Sequence, residues 1–160
     1  MSLDLRSFRR ALGAFPTGVA VVTTAGSSGT VPMGITVNSF TSVSLDPPLV
    51  LWCLNRRSDR FAVFSAAESY VISVLGAIHE EVSARLAKPG AHVLDGLELK
   101  RTELGPPALA DALAVFECAR EAVHDGGDHA ILVGRVLRFA GRSDGEPLVF
   151  YRGRYGALPE

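Results

Sequence analysis

Three short segments hold the side chains best suited to chemistry. "HDGGDH" (124–129) packs two histidines and two aspartates into six residues. Its Gly-Gly centre marks a turn, and the spacing matches none of the usual zinc or calcium loops, so no metal site is assigned. His129 instead opens the apolar run "AILVGRV", where its ring can stand at a rim as a hydrogen-bond donor. "NRRSDR" (55–60) follows an apolar run and opens a helical pattern. Free N–H groups at a helix start, the Ser58 hydroxyl and two arginines suit a phosphate, but read alone the segment fits a capped helix with solvated arginines better. "FYRGRY" (150–155) sets Tyr151, Arg154 and Tyr155 around Gly153, either a platform for a planar ligand or core packing.

A fourth segment, "GITVNSFTSVSLDPPLVLW" (34–52), is unusual for a strand. Ile35 and Val37 alternate with Thr36 and Asn38, and then Ser39, Thr41, Ser42 and Ser44 crowd together before the next apolar run. So many small hydrogen-bonding groups beside a core call for a polar, closely fitted neighbour. His79 and His92 are expected at the surface.

Several chemistries are excluded or unsupported. The chain has neither GxGxxG nor GxxxxGK[ST], so no Rossmann nucleotide site or P-loop is supported. No catalytic triad and no protein nucleophile is apparent. A net charge of −1, from 16 basic and 17 acidic residues, gives no electrostatic reason to bind nucleic acid or an anionic membrane. No apolar run reaches the length of a spanning helix, and the N-terminus lacks a signal peptide's apolar centre. Cys53 and Cys118 form no CxxC and sit in strand-like runs, as buried reduced thiols of a cytoplasmic protein would. At 160 residues, 48% hydrophobic, one domain spanning residues 1–160 is expected.

These segments need elements to hold them. Asp4 can cap a helix with Leu5, Phe8 and Leu12 on one face and Arg6, Arg9 and Arg10 turned outward, ended by Gly13 and Pro16. Strands are expected at 18–25, 33–40, 47–55 and 69–76, with a turn at 26–30. A helix capped by Ser58 carries Phe61 and Phe64, and a second carries Ile78, Val82 and Leu86 up to Pro89 and Gly90. Further strands are expected near 97–102, 112–123, 130–139 and 147–155. Strands outnumber helices and no βαβ alternation appears, which predicts an antiparallel barrel with a few helices.

Together "FPTGVAVVTT" (15–24), "GITVNSFTSVSLDPPLV" (34–50), "LNRRS" (54–58), "GDHAILVGRV" (127–136) and "PLVFYRGRY" (147–155) resemble the short NAD(P)H:flavin reductases, which supply reduced flavin to two-component monooxygenases. The resemblance spans almost the whole chain. It implies a mainly β, Greek-key FMN-binding split barrel, working as a homodimer with FMN or FAD near the subunit interface. It assigns Thr36, Val37, Asn38, Ser39 and Ser42 to the flavin ring. Cys53, Leu54, Asn55 and Ser58 continue the site toward the ribityl phosphate. Leu86 and Ala87 stand where many relatives have Phe-Ala.

The resemblance further implies that His129, Tyr151, Arg154 and Tyr155 meet the nicotinamide nucleotide, NADH or NADPH. Hydride passes between the two cofactors, so the protein's task is to stack them at about 3–3.5 Å. Three alternatives share parts of the pattern: a reductase of the same fold acting on a corrinoid or iron, a relative of the pyridoxamine-phosphate oxidases, and a flavin-binding protein without turnover. The NSFTSVSLDPP and GDH blocks speak against the second.

Overall fold

The computed structural model describes residues 3–26 and 31–159, so most of the expected 26–30 turn lies outside the described residues. Asp4 caps α1 (Leu5–Leu12), accepting from the Arg6 amide at 3.1 Å and the Ser7 hydroxyl at 2.6 Å. The first expected strand is divided into β1 (Thr17–Gly18) and β2 (Ala20–Thr24). The second ends early, as β3 (Met33–Val37), and a separate strand β4 (Thr41–Leu45) follows. The sequence concealed β4 because it is an exposed edge with a bulge between Ser42 and Ser44, so it shows no alternating burial.

Then come β5 (Pro48–Asn55), α2 (Phe61–Ala66), β6 (Ser69–Val74), a single 3₁₀ turn (Ala77–His79) and α3 (Glu80–Leu86). The strand expected at 97–102 shrinks to β7 (Leu99–Lys100), paired with β8 (Ala108–Leu109). Pro106 and Pro107, which lack amide donors, prevent a longer ladder there. The long hairpin β9 (Ala114–Gly126) and β10 (His129–Gly141) runs past the expected bounds at its turn and at the end of β10, while β9 starts two residues later than expected. The last expected strand is a hairpin, β11 (Val149–Tyr151) and β12 (Arg154–Gly156), turning at Arg152 and Gly153.

Seven strands form one antiparallel sheet in the order β3-β2-β6-β9-β10-β5-β4. β6 does not pair with β5, its predecessor, but crosses to β2, which is the Greek-key step. The two edge strands are consecutive in the chain and joined by residues 38–40 alone. A flat sheet of seven strands would hold its edges about 29 Å apart. Four Cα steps reach only about 14 Å. The sheet must therefore curl until β3 and β4 stand close without pairing. That is a split barrel, as expected.

Every position of β2 is buried, because its two faces feed two different cores. Ala20 and Val22 point to a cluster inside the barrel with Trp52, Phe64 and Tyr70. Trp52 meets Phe64 and Tyr70 edge-on, with centroids 5.7 and 5.5 Å apart. Each such pair contributes about 0.5–1.5 kcal/mol beyond its buried area. Gly134 sits at a bulge in β10, and a Cβ there would come within 2.6 Å of the Tyr70 hydroxyl. Val19 and Val21 point the other way, to Leu75, Leu86 and Leu148 under α3, with Phe150 and Tyr155 packed alongside.

His79, expected at the surface, is only 7% exposed. Its Nδ1 accepts from the Gly76 amide at 3.2 Å, so Nε2 carries the proton and donates to the Ala110 carbonyl at 2.9 Å. It is a brace between loops. His92 is half-buried, and its carbonyl takes the Gly34 amide at 2.9 Å. Both cysteines are free thiols; Cys118 is buried as expected, whereas Cys53 is half-buried. Among the described residues no helix is long and apolar enough to cross a membrane, and no three metal-ligating side chains cluster.

Candidate functional site

β3 pairs with β2 on one side; its other edge carries a single bridge at its start, Met33 to Val93, and is open beyond it among the described residues. The Gly34 amide points to that edge, where the His92 carbonyl takes it. Amides two residues apart on a strand face the same side. The Thr36 amide therefore faces the open edge too, and the Asn38 amide, just past the strand end, donates to no backbone carbonyl among the described residues. Aligned unsatisfied amides beside a core are a ready set of donors for a flat ligand with acceptors on its rim.

A groove runs along this edge as two adjoining depressions that share Thr36 and Ala87. One, of about 210 Å³, is lined by Val19, Thr36, Val37, Asn38, Ala87, Phe150 and Tyr155. The other, of about 380 Å³, adds Ile35, Asn55, Arg57, Ser58, Asp59, Arg60 and Pro89. The first is largely apolar, and the second adds the polar and charged side chains of Asn55, Arg57, Ser58, Asp59 and Arg60.

The floor is fixed by a hydrogen-bonded set of buried and half-buried groups. Thr36 Oγ1 donates to the Ser83 carbonyl at 2.7 Å, and the Ser83 hydroxyl shares a 2.7 Å bond with Tyr155 Oη. This ties β3, α3 and β12 together. Arg60, 2% exposed, holds the far side of the floor. Its guanidinium donates to the carbonyls of Gly34 at 3.3 Å and Leu86 at 2.5 Å, and to Lys88 O. A cation at the C-terminus of α3 also suits the helix dipole. Gly34 lies beneath, where a Cβ would come within 2.7 Å of Leu94 Cδ2.

The polar end differs from the sequence expectation. Helix α2 begins at Phe61 with Arg60 at its cap position, so Ser58 does not cap it. Residues 55–58 form a compact turn instead: Asn55 Oδ1 accepts from the Arg57 amide at 2.8 Å, and Ser58 Oγ accepts from the Arg60 amide at 3.2 Å. Of the two expected arginines only Arg57 lines the groove. Arg56 turns away to the Asp125 carboxylate at 2.5 Å and the Gly127 carbonyl at 3.1 Å, bracing the GDH turn.

Thr36, Val37, Asn38, Asn55, Ser58, Ala87 and Tyr155 thus meet in one groove. Ser39 does not line it; its hydroxyl accepts from the Cys53 amide at 2.8 Å and donates to the Cys53 carbonyl, fastening residues 38–40 to β5. The backbone of Cys53 is thereby occupied. Leu54 and Leu86 are core side chains at 1% and 0% exposure. Ser42 lies exposed on the β4 edge.

His129 pairs across the ladder with Asn55, so the two side chains share a face at the polar end. Its Nδ1 lies 2.7 Å from Asp128 Oδ1, and that hydrogen bond together with the ring's charge holds the Asp128 carboxyl below its usual range. Tyr151 and Arg154 line a neighbouring groove of about 740 Å³ that joins the first at Tyr155.

Sequence reasoning missed Arg60, Ser83, Val19 and Phe150. No local pattern distinguishes a buried arginine from a solvated one. Val19 and Phe150 are apolar residues whose role depends on which edge they flank.

The chain matches the model of the flavin reductase like domain over residues 12–159. It is 52% identical over 151 residues to the FMN reductase (NADH) SmoA of Agrobacterium fabrum, covering 94% of this chain and 84% of that protein. It is 37% identical to the flavin-dependent monooxygenase reductase subunit HsaB of Rhodococcus jostii, covering 98% and 80%. The NADH:FAD oxidoreductase SgcE6 of Streptomyces globisporus, solved with NAD and FAD fragments, superposes with a TM-score of 0.91 at 36% identity over 99% of this chain and 98% of that one. BorF, the flavin reductase component of a bacterial two-component tryptophan halogenase, gives 0.89 at 38% identity over 98% and 99%. The chain belongs to the flavin reductase-like family.

Proposed function

We propose that this protein is an NADH-dependent flavin reductase that delivers reduced FMN or FAD to a partner monooxygenase. The observation that carries the reading is the open β3 edge: two outward amides, at Thr36 and Asn38, beside a groove that turns from apolar to cationic. An isoalloxazine presents ring carbonyls and N5 along one edge and a phosphate-bearing tail at the other end, which matches that order of groups. Bound flavin supplies a hydride acceptor at N5, and the nicotinamide supplies the hydride from C4.

The protein's part is positional. The Thr36 and Asn38 amides donate to the ring edge, where donors favour the electron-rich reduced form. Val37, Ala87 and Phe150 flank the ring. Asn55, Arg57 and Ser58 hold the phosphate; Arg57 is the cation there, since Asp59 is engaged by the Gly90 amide at 2.6 Å and by Arg60 Nε at 3.4 Å. His129, on the same face as Asn55, hydrogen-bonds the nicotinamide nucleotide, and Tyr155 bounds its other side. Ser39 and Cys53 act through the backbone they fasten together.

The working form is a homodimer. Its support is the apolar face of α1, with Phe8 45% and Leu12 58% exposed, continued by Phe15 at 76%. A second copy of the chain covers that face and the adjacent flavin groove. The protein acts in the cytoplasm, where NADH is supplied.

The test is steady-state NADH and NADPH oxidation with FMN, FAD and riboflavin side by side, with light scattering of the same sample. NADH oxidation that depends on FMN or FAD, in a dimer, is expected. Flavin binding without NADH oxidation would leave a flavin-binding protein only. NADH oxidation that requires a corrinoid or iron would move the function to another acceptor.

A further inference from the structure

We propose that Asp59 makes this site selective for FMN over FAD, by closing the groove immediately past the flavin's phosphate. The proposal rests on the flavin reading above and adds the choice between the two flavins. The polar depression lies between the turn 55–60 and the loop that follows α3, with Asp59 and Pro89 in its lining. Asp59 joins these two segments, because its Oδ2 accepts from the Gly90 amide at 2.6 Å. Its Oδ1 lies 3.4 Å from Arg60 Nε, and Arg60 donates in turn to the Leu86 carbonyl at 2.5 Å and to Lys88 O. Two consecutive side chains thus clasp the turn to the loop at Leu86, Lys88 and Gly90.

Three observations make this clasp a boundary for the ligand. The loop is stiff where Asp59 holds it: Pro89 has its φ locked by the ring, and Gly90 takes φ 77°, in the left-handed region. The cations in the lining match one phosphate and not two. Among the described residues the Arg57 side chain has no ion-pair or hydrogen-bond partner, whereas the Arg60 guanidinium is taken up by three carbonyls and Asp59. The opposite flank is closed in the same manner. There the Arg56 amide donates to the Asp128 carbonyl at 2.9 Å and the guanidinium meets the Asp125 carboxylate at 2.5 Å, so a tail leaving on that side approaches two further acids.

FMN ends in a phosphate monoester, which carries a charge of about −1.5 to −2 at neutral pH. Arg57 meets that charge, and Ser58 Oγ, which accepts from the Arg60 amide, keeps its own proton to donate. FAD continues from the same phosphate into a second phosphate and an adenosine. The second phosphate brings another negative charge against the Asp59 carboxylate, and the Asp59–Gly90 bond stands where the longer tail has to pass. Repulsion and obstruction together reject the larger flavin, without any added contact to the smaller one.

The experiment titrates the full-length protein with FMN, FAD and riboflavin by calorimetry, for wild type, Asp59→Asn and Asp59→Ala. Wild type is expected to bind FMN about 10-fold or more tighter than FAD, and riboflavin, which has no phosphate, more weakly than FMN. Asp59→Ala removes both the charge and the clasp, and should bring the ratio of FMN to FAD affinity to about twofold or less. Asp59→Asn keeps an acceptor for the Gly90 amide without the charge, so its ratio should fall between the two. FAD bound as tightly as FMN by wild type, with NADH oxidation intact, would overturn the proposal and leave the reductase reading standing. A ratio unchanged in Asp59→Ala would overturn the role of Asp59. Riboflavin bound as tightly as FMN would take the phosphate out of this depression and overturn the proposal as well. FMN-selective binding without NADH oxidation would instead sink the reductase reading alone. The Asp59 side chain is 41% exposed, so both variants are expected to fold, and a melting curve verifies it. If the alanine variant melts below the assay temperature, the ratio in Asp59→Asn decides.

Discussion

At the floor of the groove the groups that set its shape are bonded to one another within the chain, whereas at the rim they are more exposed and have fewer partners. Arg60, Ser83, Thr36 and Tyr155 form a connected network beneath Ala87, and a glycine at 34 lets α3 come close. Tyr151 and Arg152 are exposed and His129 is half-buried, with one neighbour or a stacked ring each. The contrast separates two kinds of work. A flat rigid ring needs a surface whose geometry does not vary, and only buried, satisfied groups provide one. A long dinucleotide that must enter and leave on each turnover is better met by exposed polar groups that lose little on release.

The strongest way to break the contrast is Arg60→Met. It leaves three carbonyls without their donor, and chemical denaturation should show a loss of about 3–5 kcal/mol. A loss under about 1 kcal/mol would mean that the floor is held by packing alone.

His129→Ala should do the opposite. Removing a positioning contact at the rim predicts about a 10-fold to 100-fold fall in kcat/KM with the melting temperature unchanged. Stopped-flow reduction of bound flavin beside a melting curve decides; a normal rate in a destabilised variant would make His129 a turn brace.

Tyr155→Phe lies between the two, because Tyr155 belongs to both regions. Losing its bond to Ser83 should cost about 0.5–1.5 kcal/mol of stability and loosen flavin binding by a few-fold. An unchanged flavin dissociation constant would confine Tyr155 to the floor.

The smallest effect sharpens the contrast chemically. Burial pushes the Cys118 thiol up to about 12, with the charge of Glu117 adding to it, so the reactive thiolate is scarce at neutral pH. Iodoacetamide at pH 8 should label half-buried Cys53 first and reach Cys118 only after unfolding. Equal labelling of both would show that the barrel core opens readily.

Much of the architecture was legible because hydrophobic patterning is local. The runs at 47–55, 69–76 and 130–139 declared strands, and Asp4 declared the start of α1. The small polar residues at 36–42 raised the expectation of a closely fitted neighbour; Thr36 and Asn38 line the groove, whereas Ser39 is tied to Cys53 and Ser42 lies on the β4 edge. They did not mark β4, whose edge position leaves no alternation, nor the end of β3 at Val37.

Residue order was enough to read an inventory: antiparallel strands, a polar seam, two arginine-bearing turns and a histidine near a Gly-Gly pair. Which of these face one another is fixed by long-range packing. Whether an amide on β3 is free depends on its neighbour being absent, and that follows from the curl of a seven-stranded sheet. Whether an arginine is a buried staple, as Arg60 is, or an open cation, as Arg57 is, depends on carbonyls 26 to 28 residues away. Local propensity carries no record of such distances, because the energy of a buried charge is set by the groups that surround it after folding.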